Sequence, residues 1–268
     1  MTLLVCLAIS LFGLFSTSAL EPPACVDIPH GFVALHLLDA NIIMGMRYAH
    51  FHNFAGRPIE GYLQPVCILT AQAAKALLAA QKEFMSMKPP FTLKMYDCYR
   101  PQMAVDYFMG WAQDLNDTVM KEEFYPTLNK SHLFSLGYIA KRSNHSCGST
   151  FDGTIVPYPP PKQEQYHFGQ PLTPCFDPLP KRFEDNSLDM GTGFDCFDPR
   201  AHTNSTDITA QQMKNRKLYQ SVLEKNGFVN YPGEWWHFTL HDQPYPNTYF
   251  NFLVSCNATG RLNSKDIF

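Results

Sequence analysis

The sequence contains no run of lysine or arginine residues, and its 21 basic side chains are nearly balanced by 24 acidic ones, for a formal charge of −3. Such a chain is poorly suited to nucleic acid, whose phosphates attract clustered positive charge. Beyond residue 20 it also lacks any apolar run of the roughly 18 residues that a membrane span requires. Its 45% hydrophobic content is too high for a disordered chain. These absences predict a globular protein that neither binds nucleic acid nor spans a membrane.

The first twenty residues differ in composition from the rest. They contain no charged side chain, and the apolar stretch at residues 3–15 fits the core of a secretory signal while being too short to cross a bilayer. Small residues at positions 16–19 predict cleavage near Ala19 or Leu20. We therefore expect residues 1–20 to be a signal peptide and residues 21–268 to form a single domain. The protein is expected to be secreted, or to lie in the lumen of a secretory or lysosome-like compartment.

Two further counts fit export. Eight cysteines are present, and removal of Cys6 with the signal peptide leaves seven. This odd number predicts at least one thiol that is free or paired with another molecule. Asn-x-Ser/Thr triplets, the acceptor pattern for N-glycosylation, occur at Asn116, Asn129, Asn144, Asn204 and Asn257.

Capping residues and apolar periodicity predict helices mixed with short strands. Helices are expected after Thr70, from Pro101 onwards and over residues 208–227, and strands over residues 91–97 and 234–240. Residues 157–183 contain eight prolines without periodicity, which predicts a long surface loop inserted in the domain and leaves a lid function open. Because helices and strands do not alternate regularly, we expect an α+β fold.

The ten histidines offer several places for a metal ion, although none forms the HExxH pattern of a zinc-binding helix. The candidates are His50-x-His52, the pair His237 and His241, the pair His145 and Asp152 around Gly148, and Glu234 three residues before His237. A catalytic zinc ion needs three protein ligands, an open position and a carboxylate that can accept a proton. His145, Asp152 and His237 with Glu234 would meet this need. The odd spacing between His145 and Asp152, however, requires a turn at Gly148, and spacing alone leaves the choice open.

Four regions of the sequence resemble the D-alanyl-D-alanine dipeptidase family, the type associated with vancomycin resistance. They are YAHFHNFAGRPIEGY (48–62), YDCYRPQMAV (96–105), SNHSCGSTFD (143–152) with MGTGFD (190–195), and GEWWHFT (233–239). They occur in the order found in the family and extend over most of the chain beyond the signal. The family consists of zinc peptidases that share a fold with the hedgehog signalling domain. The resemblance therefore implies a small, mainly antiparallel central sheet flanked by helices.

The resemblance also implies how the chain performs hydrolysis. Carried over by position, His145, Asp152 and His237 bind one zinc ion per chain, and Glu234 is the catalytic base. Arg100, in the YRP segment, matches the arginine that stabilises the negative charge on the substrate's carbonyl oxygen. We therefore expect a zinc-dependent dipeptidase.

The family positions that line the dipeptide site are also present. They correspond to Tyr48, Ser143 and Asp195, and Asp195 is expected to bind the ammonium group of the substrate. His50 and His52 are then left with structural or surface roles. The expected substrate is D-Ala-D-Ala or a related small dipeptide from the bacterial cell wall.

Two other functions stay open at this point. The chain would instead be a D,D- or L,D-carboxypeptidase on longer wall peptides if residues 157–183 bordered an open groove. A non-enzymatic zinc-binding module related to hedgehog is the other alternative. The presence of Glu234 and Arg100 beside all three ligands argues against that module, because a structural zinc ion needs neither.

The cysteines depart from the family pattern. Cys98 stands where the family commonly has glycine, and Cys147 where bacterial members often have a basic residue. Cys147 and Cys196 each lie an odd number of residues from a carboxylate of the expected site, so in regular strands their sulfur atoms point behind it. This suggests a Cys147–Cys196 disulfide, with Cys98–Cys147 as a nearly equal alternative.

Overall fold

The computed structural model describes residues 23–25 and 27–261, and the predicted signal peptide lies outside them. The strands within this range are β1 (Pro23–Cys25), β2 (Phe32–Ala34), β3 (Ile43–Met44), β4 (Ile68–Thr70), β5 (Phe91–Asp97), β6 (Thr150–Pro157), β7 (Phe228–Asn230), β8 (His237–Leu240) and β9 (Ala258–Arg261). The α-helices are α1 (Ala71–Ser86), α2 (Gln102–Gln113), α3 (Lys121–Phe124) and α4 (Ala210–Lys225). Short 3₁₀ helices cover Leu35–Leu37, Arg47–Ala49, Lys130–His132, Asn144–Cys147 and Pro199–Ala201.

The central sheet has five strands in the order β3-β5-β6-β8-β7. Strand β3 runs parallel to β5, and all other neighbours in this sheet are antiparallel. The register places Asp152 of β6 opposite both Asp97 of β5 and His237 of β8. The predicted α+β fold with a small, mainly antiparallel sheet is confirmed, and the register aligns three polar residues across its middle strands.

The helices begin where capping residues predict. The Thr70 hydroxyl accepts a hydrogen bond from the Ala73 amide at 3.3 Å and so caps α1. Thr209 and Gln212 form a reciprocal capping box at the start of α4. Helix α1 packs against β5 and α4 through a buried face that includes Leu77. None of the helices in the described part of the chain is long and apolar enough to cross a membrane.

The strand expected over residues 234–240 is shorter than the sequence indicates. It begins at His237, because the preceding residues form a turn. In that turn the Glu234 amide donates to the Tyr231 carbonyl at 3.1 Å, and the His237 amide donates to the Glu234 carbonyl at 3.3 Å. Trp235 and Trp236 suggested an extended strand, but the chain forms a turn at these residues and still buries both side chains. The bend determines where Glu234 lies relative to His237.

The proline-rich region is irregular, as predicted. Residues 158–198 contain neither α-helix nor strand. The segment nevertheless packs closely against its surroundings: the Tyr166 ring stacks on His52 with centroids 4.2 Å apart, and the Cys175 amide donates to the Glu123 carbonyl at 2.9 Å. The insertion is therefore joined to the rest of the fold by specific contacts.

Both expected disulfide pairings are wrong. The disulfides are Cys25–Cys256, Cys67–Cys98 and Cys175–Cys196, and Cys147 is a buried free thiol. The strand alternation on which Cys147–Cys196 depended does not apply, since Cys147 ends a 3₁₀ helix and Cys196 lies in an irregular loop. The alternative Cys98–Cys147 fails because Cys98 is bonded to Cys67. One unpaired thiol among the described cysteines agrees with the odd count.

Candidate active site

The metal-binding candidates His145, Asp152 and His237 lie together. His145 belongs to the 3₁₀ helix Asn144–Cys147, and Gly148 then reverses the chain with φ of 81°, a left-handed conformation that favours glycine. A Cβ atom at Gly148 would clash with the Phe32 ring, so no side chain fits at this position. The turn allows His145 to reach Asp152 despite their odd spacing, and the pairing of β6 with β8 brings in His237. One potential ligand atom from each residue lies within 4.8 Å of the others.

The orientation of these side chains fits a metal ion. The Nδ1 of His145 lies 2.7 Å from the Cys98 carbonyl oxygen, which can only accept a hydrogen bond. This carbonyl therefore fixes the proton on Nδ1 and leaves Nε2 free to bind a metal. That Nε2 lies 3.3 Å from Asp152 Oδ2 and 3.3 Å from His237 Nδ1. Asp152 Oδ1 is buried and lies 3.1 Å from His237 Nδ1. Two imidazoles and a carboxylate form a donor set typical of zinc.

The electrostatics keep Asp152 ionised. Burial opposes its ionisation, but His145 and His237 hold the pKa of Asp152 well below its usual range. A permanently charged carboxylate between two imidazoles is a ready ligand for a divalent cation.

Glu234 lies beside this group. Its Oε2 is 3.4 Å from His237 Nδ1. Enclosure in the cavity raises the pKa of Glu234 to about 7; His237 opposes this shift and Asp152 adds to it. A carboxyl group with a pKa near neutrality is suited to accept and then return a proton. The adjacent Trp235 is buried and donates to the Thr192 hydroxyl at 2.8 Å, which fixes the turn that carries Glu234.

Arg100 is held over the same space by a carboxylate that sequence reasoning missed. Its Nε donates to Asp97 Oδ2 at 2.9 Å, and its guanidinium lies 5.1 Å from the centroid of the Tyr48 ring. Asp97 is fully buried, and the Tyr62 hydroxyl donates to its other oxygen at 2.7 Å. The signal was present in the sequence, because Asp97 precedes Arg100 by three residues in YDCYRP. Asp97 orients the guanidinium while Arg100 faces the cavity.

The expected substrate-binding residues line the same cavity. The Tyr48 hydroxyl donates to Asp195 Oδ2 at 2.8 Å, and both side chains are buried. Burial raises the pKa of Asp195 well above its usual range, and Asp152 contributes to the rise. Ser143 is half-buried, and its hydroxyl accepts a hydrogen bond from the His145 amide at 3.3 Å.

The cavity has a volume of about 290 Å³ and is lined by all eight side chains that the resemblance singled out. Arg142, which sequence reasoning missed, also lines it; it is exposed, and its guanidinium lies 4.8 Å from the centroid of the Tyr249 ring. The remaining wall is largely apolar and includes Phe54, Val105 and Ile139. The site therefore combines three residues that could hold a metal ion, one carboxyl with a pKa near neutrality and two arginines in a small, partly apolar space.

The other histidine candidates lie outside the metal-binding group. His50 is exposed, whereas His52 is buried with its Nε2 2.7 Å from Glu123 Oε1. His241 is exposed and lies 2.7 Å from the Asp242 carboxylate. Structural or surface positions for His50 and His52 are what the resemblance implied.

The geometry agrees with the relationship of the sequence to known proteins. The model of the peptidase M15 family, described as D-Ala-D-Ala dipeptidase, matches residues 29–157 and 178–255. The chain belongs to this family of metallopeptidases. The unmatched residues 158–177 lie within the proline-rich insertion.

Curated relatives support the assignment. A D-alanyl-D-alanine dipeptidase of Enterococcus faecalis is 34% identical over 226 residues, which cover 84% of this chain and 99% of the relative. The protein of the same name from Streptomyces coelicolor is also 34% identical, over 84% of this chain and 98% of its own length. The namesake from Escherichia coli is 26% identical over 78% of this chain and 83% of its own length. The family resemblance seen in the sequence is confirmed.

Proposed function

We propose that the chain is a secreted zinc dipeptidase that hydrolyses D-Ala-D-Ala or a closely related dipeptide. The observation that carries the proposal is the convergence of His145, Asp152, His237, Glu234 and Arg100 on one small cavity. The names of the relatives support the choice of substrate. A structural metal site would not require a carboxyl group with a pKa near 7 and an arginine facing the same space.

Each residue has a role in the proposed reaction. A zinc ion held by the three ligands would act as a Lewis acid and lower the pKa of water towards about 7. Glu234 accepts a proton from the attacking water and later delivers it to the leaving amine. Arg100 stays protonated and stabilises the charge that develops on the peptide carbonyl oxygen. Asp97 keeps the Arg100 guanidinium in place through the 2.9 Å hydrogen bond.

Recognition of a free dipeptide requires partners for both of its charged ends. The Asp195 carboxyl group accepts a hydrogen bond from Tyr48, and a bound ammonium group would favour its ionised form, so it is suited to the ammonium end of the substrate. Arg142 pairs with no carboxylate among the described residues, and its position on the cavity wall suits the terminal carboxylate, with Ser143 next to it. The apolar wall then accommodates two small side chains. A volume of about 290 Å³ suits a dipeptide better than a wall pentapeptide, which would need an extended groove.

The cellular setting is part of the proposal. The composition of residues 1–20 is that of a signal peptide, and three disulfides are typical of an oxidising compartment. We propose that the remaining chain acts as one catalytic domain outside the cytoplasm. Its substrate there would come from degraded bacterial cell wall.

A substrate panel tests the function. The purified protein is assayed on D,D-, L,D- and L,L-dipeptides of alanine and on a wall pentapeptide ending in D-Ala-D-Ala, each with and without a chelator followed by zinc. We expect cleavage of the D,D-dipeptide that the chelator abolishes and zinc restores. Cleavage of the pentapeptide at a higher kcat/KM would show a carboxypeptidase instead, and no cleavage by the zinc-loaded protein would contradict an enzymatic role.

A further inference from the structure

The insertion that the family model leaves unmatched is bonded to the loop that carries Asp195. Cys175 lies within residues 158–177, and Cys196 directly follows Asp195 in the matched part of the chain. The two cysteines form a buried disulfide. The inserted segment, which the family model does not match, is thus covalently linked to the residue that follows Asp195.

Main-chain hydrogen bonds reinforce this link. The Gly193 amide donates to the Cys175 carbonyl at 2.7 Å, and the Cys175 amide donates to the Glu123 carbonyl in α3 at 2.9 Å. The Phe197 amide donates to the Phe124 carbonyl, also in α3, at 2.8 Å. Gly193 and Phe197, on either side of Asp195, are therefore connected to α3 by hydrogen bonds, Phe197 directly and Gly193 through Cys175.

Asp195 needs such support, because its backbone is in an unfavourable conformation. Its φ of 57° is in the left-handed region, which aspartate tolerates better than most non-glycine residues but which still costs energy relative to ordinary backbone. Its carboxylate is buried and has Tyr48 as a hydrogen-bond donor at 2.8 Å. A loop free to relax would relieve the backbone and move the carboxylate away from Tyr48.

The insertion itself also contacts His52, which in turn contacts α3. His52 stacks on the Tyr166 ring at 4.2 Å and meets the Phe183 ring edge-on at 4.2 Å, and its Nε2 lies 2.7 Å from Glu123 Oε1. Tyr166 belongs to the unmatched insertion and Glu123 to α3. The disulfide therefore connects the Asp195 loop to a packed support.

We propose that the Cys175–Cys196 disulfide is a positioning element that holds Asp195 in its binding conformation. The inserted segment thereby contributes to recognition of the substrate's ammonium group without contacting the substrate. The inference rests on the proposed role of Asp195. Because the disulfide acts on binding, its loss should change KM far more than kcat, whereas general destabilisation would reduce the fraction of active protein.

The test compares variants that each lack one disulfide, at a temperature where circular dichroism shows all of them to be folded. C175S/C196S is assayed on D-Ala-D-Ala beside C25S/C256S, which removes a disulfide remote from the cavity. Because buried serines can disturb packing, C175A/C196V is made in parallel. For both Cys175–Cys196 variants we expect a KM increase of about fivefold or more, roughly 1 kcal/mol of binding, with kcat and zinc content close to wild type. C25S/C256S should leave both kinetic constants unchanged.

D195N, alone and combined with C175S/C196S, separates the two proposals. D195N alone should raise KM, and in the combined variant loss of the disulfide should add no further increase, because both changes act on one interaction. If D195N raises KM while the disulfide variants do not, the positioning role is wrong and the dipeptidase proposal stands. If D195N has no effect on KM, the role of Asp195 is wrong and this inference falls with it. Additive increases would also overturn the positioning role.

Discussion

The two sides of the cavity are held in place by different means. On the side of the metal-binding group, Asp152 and His237 are paired across β6 and β8, and Asp97 lies opposite Asp152 on β5. On the recognition side, Asp195 lies in an irregular loop and Arg142 in an exposed segment before the 3₁₀ helix. Strand register fixes the first group through ladder hydrogen bonds, while the second depends on side-chain contacts and a disulfide.

This difference indicates which properties should be robust. Groups on paired strands keep their distances unless the sheet itself is disrupted, so the placement of Asp152 and His237 should tolerate changes in the loops, whereas His145 also depends on the turn at Gly148. Loop residues can vary in position and sequence without loss of the fold. Changes to the first group should therefore affect metal content and kcat, and changes to the second should affect KM.

The largest effect is expected from the metal-binding side. H145A and H237A should lose zinc and, with it, all measurable hydrolysis, since two protein ligands hold a metal ion weakly. E234Q should keep zinc but lose about 10²–10⁴-fold in kcat, because an amide cannot accept a proton. Metal analysis by mass spectrometry and steady-state kinetics check both.

H241A is the matched control, because His241 lies just beyond the same strand and is exposed. It should retain zinc and activity. Full zinc occupancy in both H145A and H237A would contradict the assigned ligands, and near-normal activity of E234Q would place the base elsewhere.

Arg100 should give the next largest effect. R100A removes the charged donor that we propose stabilises the reacting carbonyl, so kcat is expected to fall by about 10²–10³-fold with a smaller change in KM. R57A serves as the control, because Arg57 pairs with Asp117 away from the cavity. An R100A enzyme with normal kcat and a raised KM would assign Arg100 to substrate binding and not to the transition state.

The fold was largely accessible from the sequence because its signals are local. Thr70 and the following Ala/Leu-rich segment mark the start of α1, and the strand predicted over residues 91–97 has the bounds of β5, although the polar residues of that strand are buried as well. The turn at Gly148 was required by the odd spacing between His145 and Asp152 and is present. Caps, alternation and glycine turns depend on neighbouring residues, which a single sequence displays.

The site and the disulfides depend on contacts between distant residues. The partnership of Asp152 with His237 is set by the register of β6 and β8, which no local pattern reveals, and the family resemblance supplied it. Cysteine pairing had no such guide: the argument for Cys147–Cys196 assumed strands where the chain is a 3₁₀ helix and a loop. Arg142 was missed because an exposed arginine carries no pattern until its position on the cavity is known.

A change at Arg142 should separate recognition from chemistry. R142Q is expected to raise KM for D-Ala-D-Ala about tenfold, the equivalent of one partly exposed charge-assisted hydrogen bond, with little change in kcat. A D-Ala-D-Ala whose C-terminus is an amide lacks the carboxylate, so it should already bind weakly to the wild type. R142Q should not raise the KM for this amide further. K141Q is the control, because Lys141 is exposed and does not line the cavity. Equal KM increases for the acid and the amide would contradict a carboxylate contact.

The smallest effect concerns the attachment of the insertion to the sheet. Lys94 of β5 is buried; its ammonium donates to the Gln163 side chain within the insertion, to the Asp185 carbonyl and, at 3.0 Å, to the Asn186 side chain. Burial lowers the pKa of Lys94 to about 8, with Asp185 opposing the shift and Arg47 adding to it. The unfolded chain therefore binds more protons than the folded one between about pH 8 and 10.5, so Lys94 makes the protein more stable as pH rises through this window.

K94M should remove this contribution. Measured by denaturant unfolding, the free energy of unfolding of wild type relative to K94M is expected to increase by on the order of 1–3 kcal/mol between pH 7.5 and 10.5. Tyrosines that titrate in the same range are common to both proteins and cancel in the difference. K225M, which changes an exposed lysine paired with Glu83, should show no such pH-dependent difference from wild type. Parallel pH profiles for K94M and wild type would mean that Lys94 retains an ordinary pKa, and that the insertion is attached to the sheet without a buried charge that responds to pH.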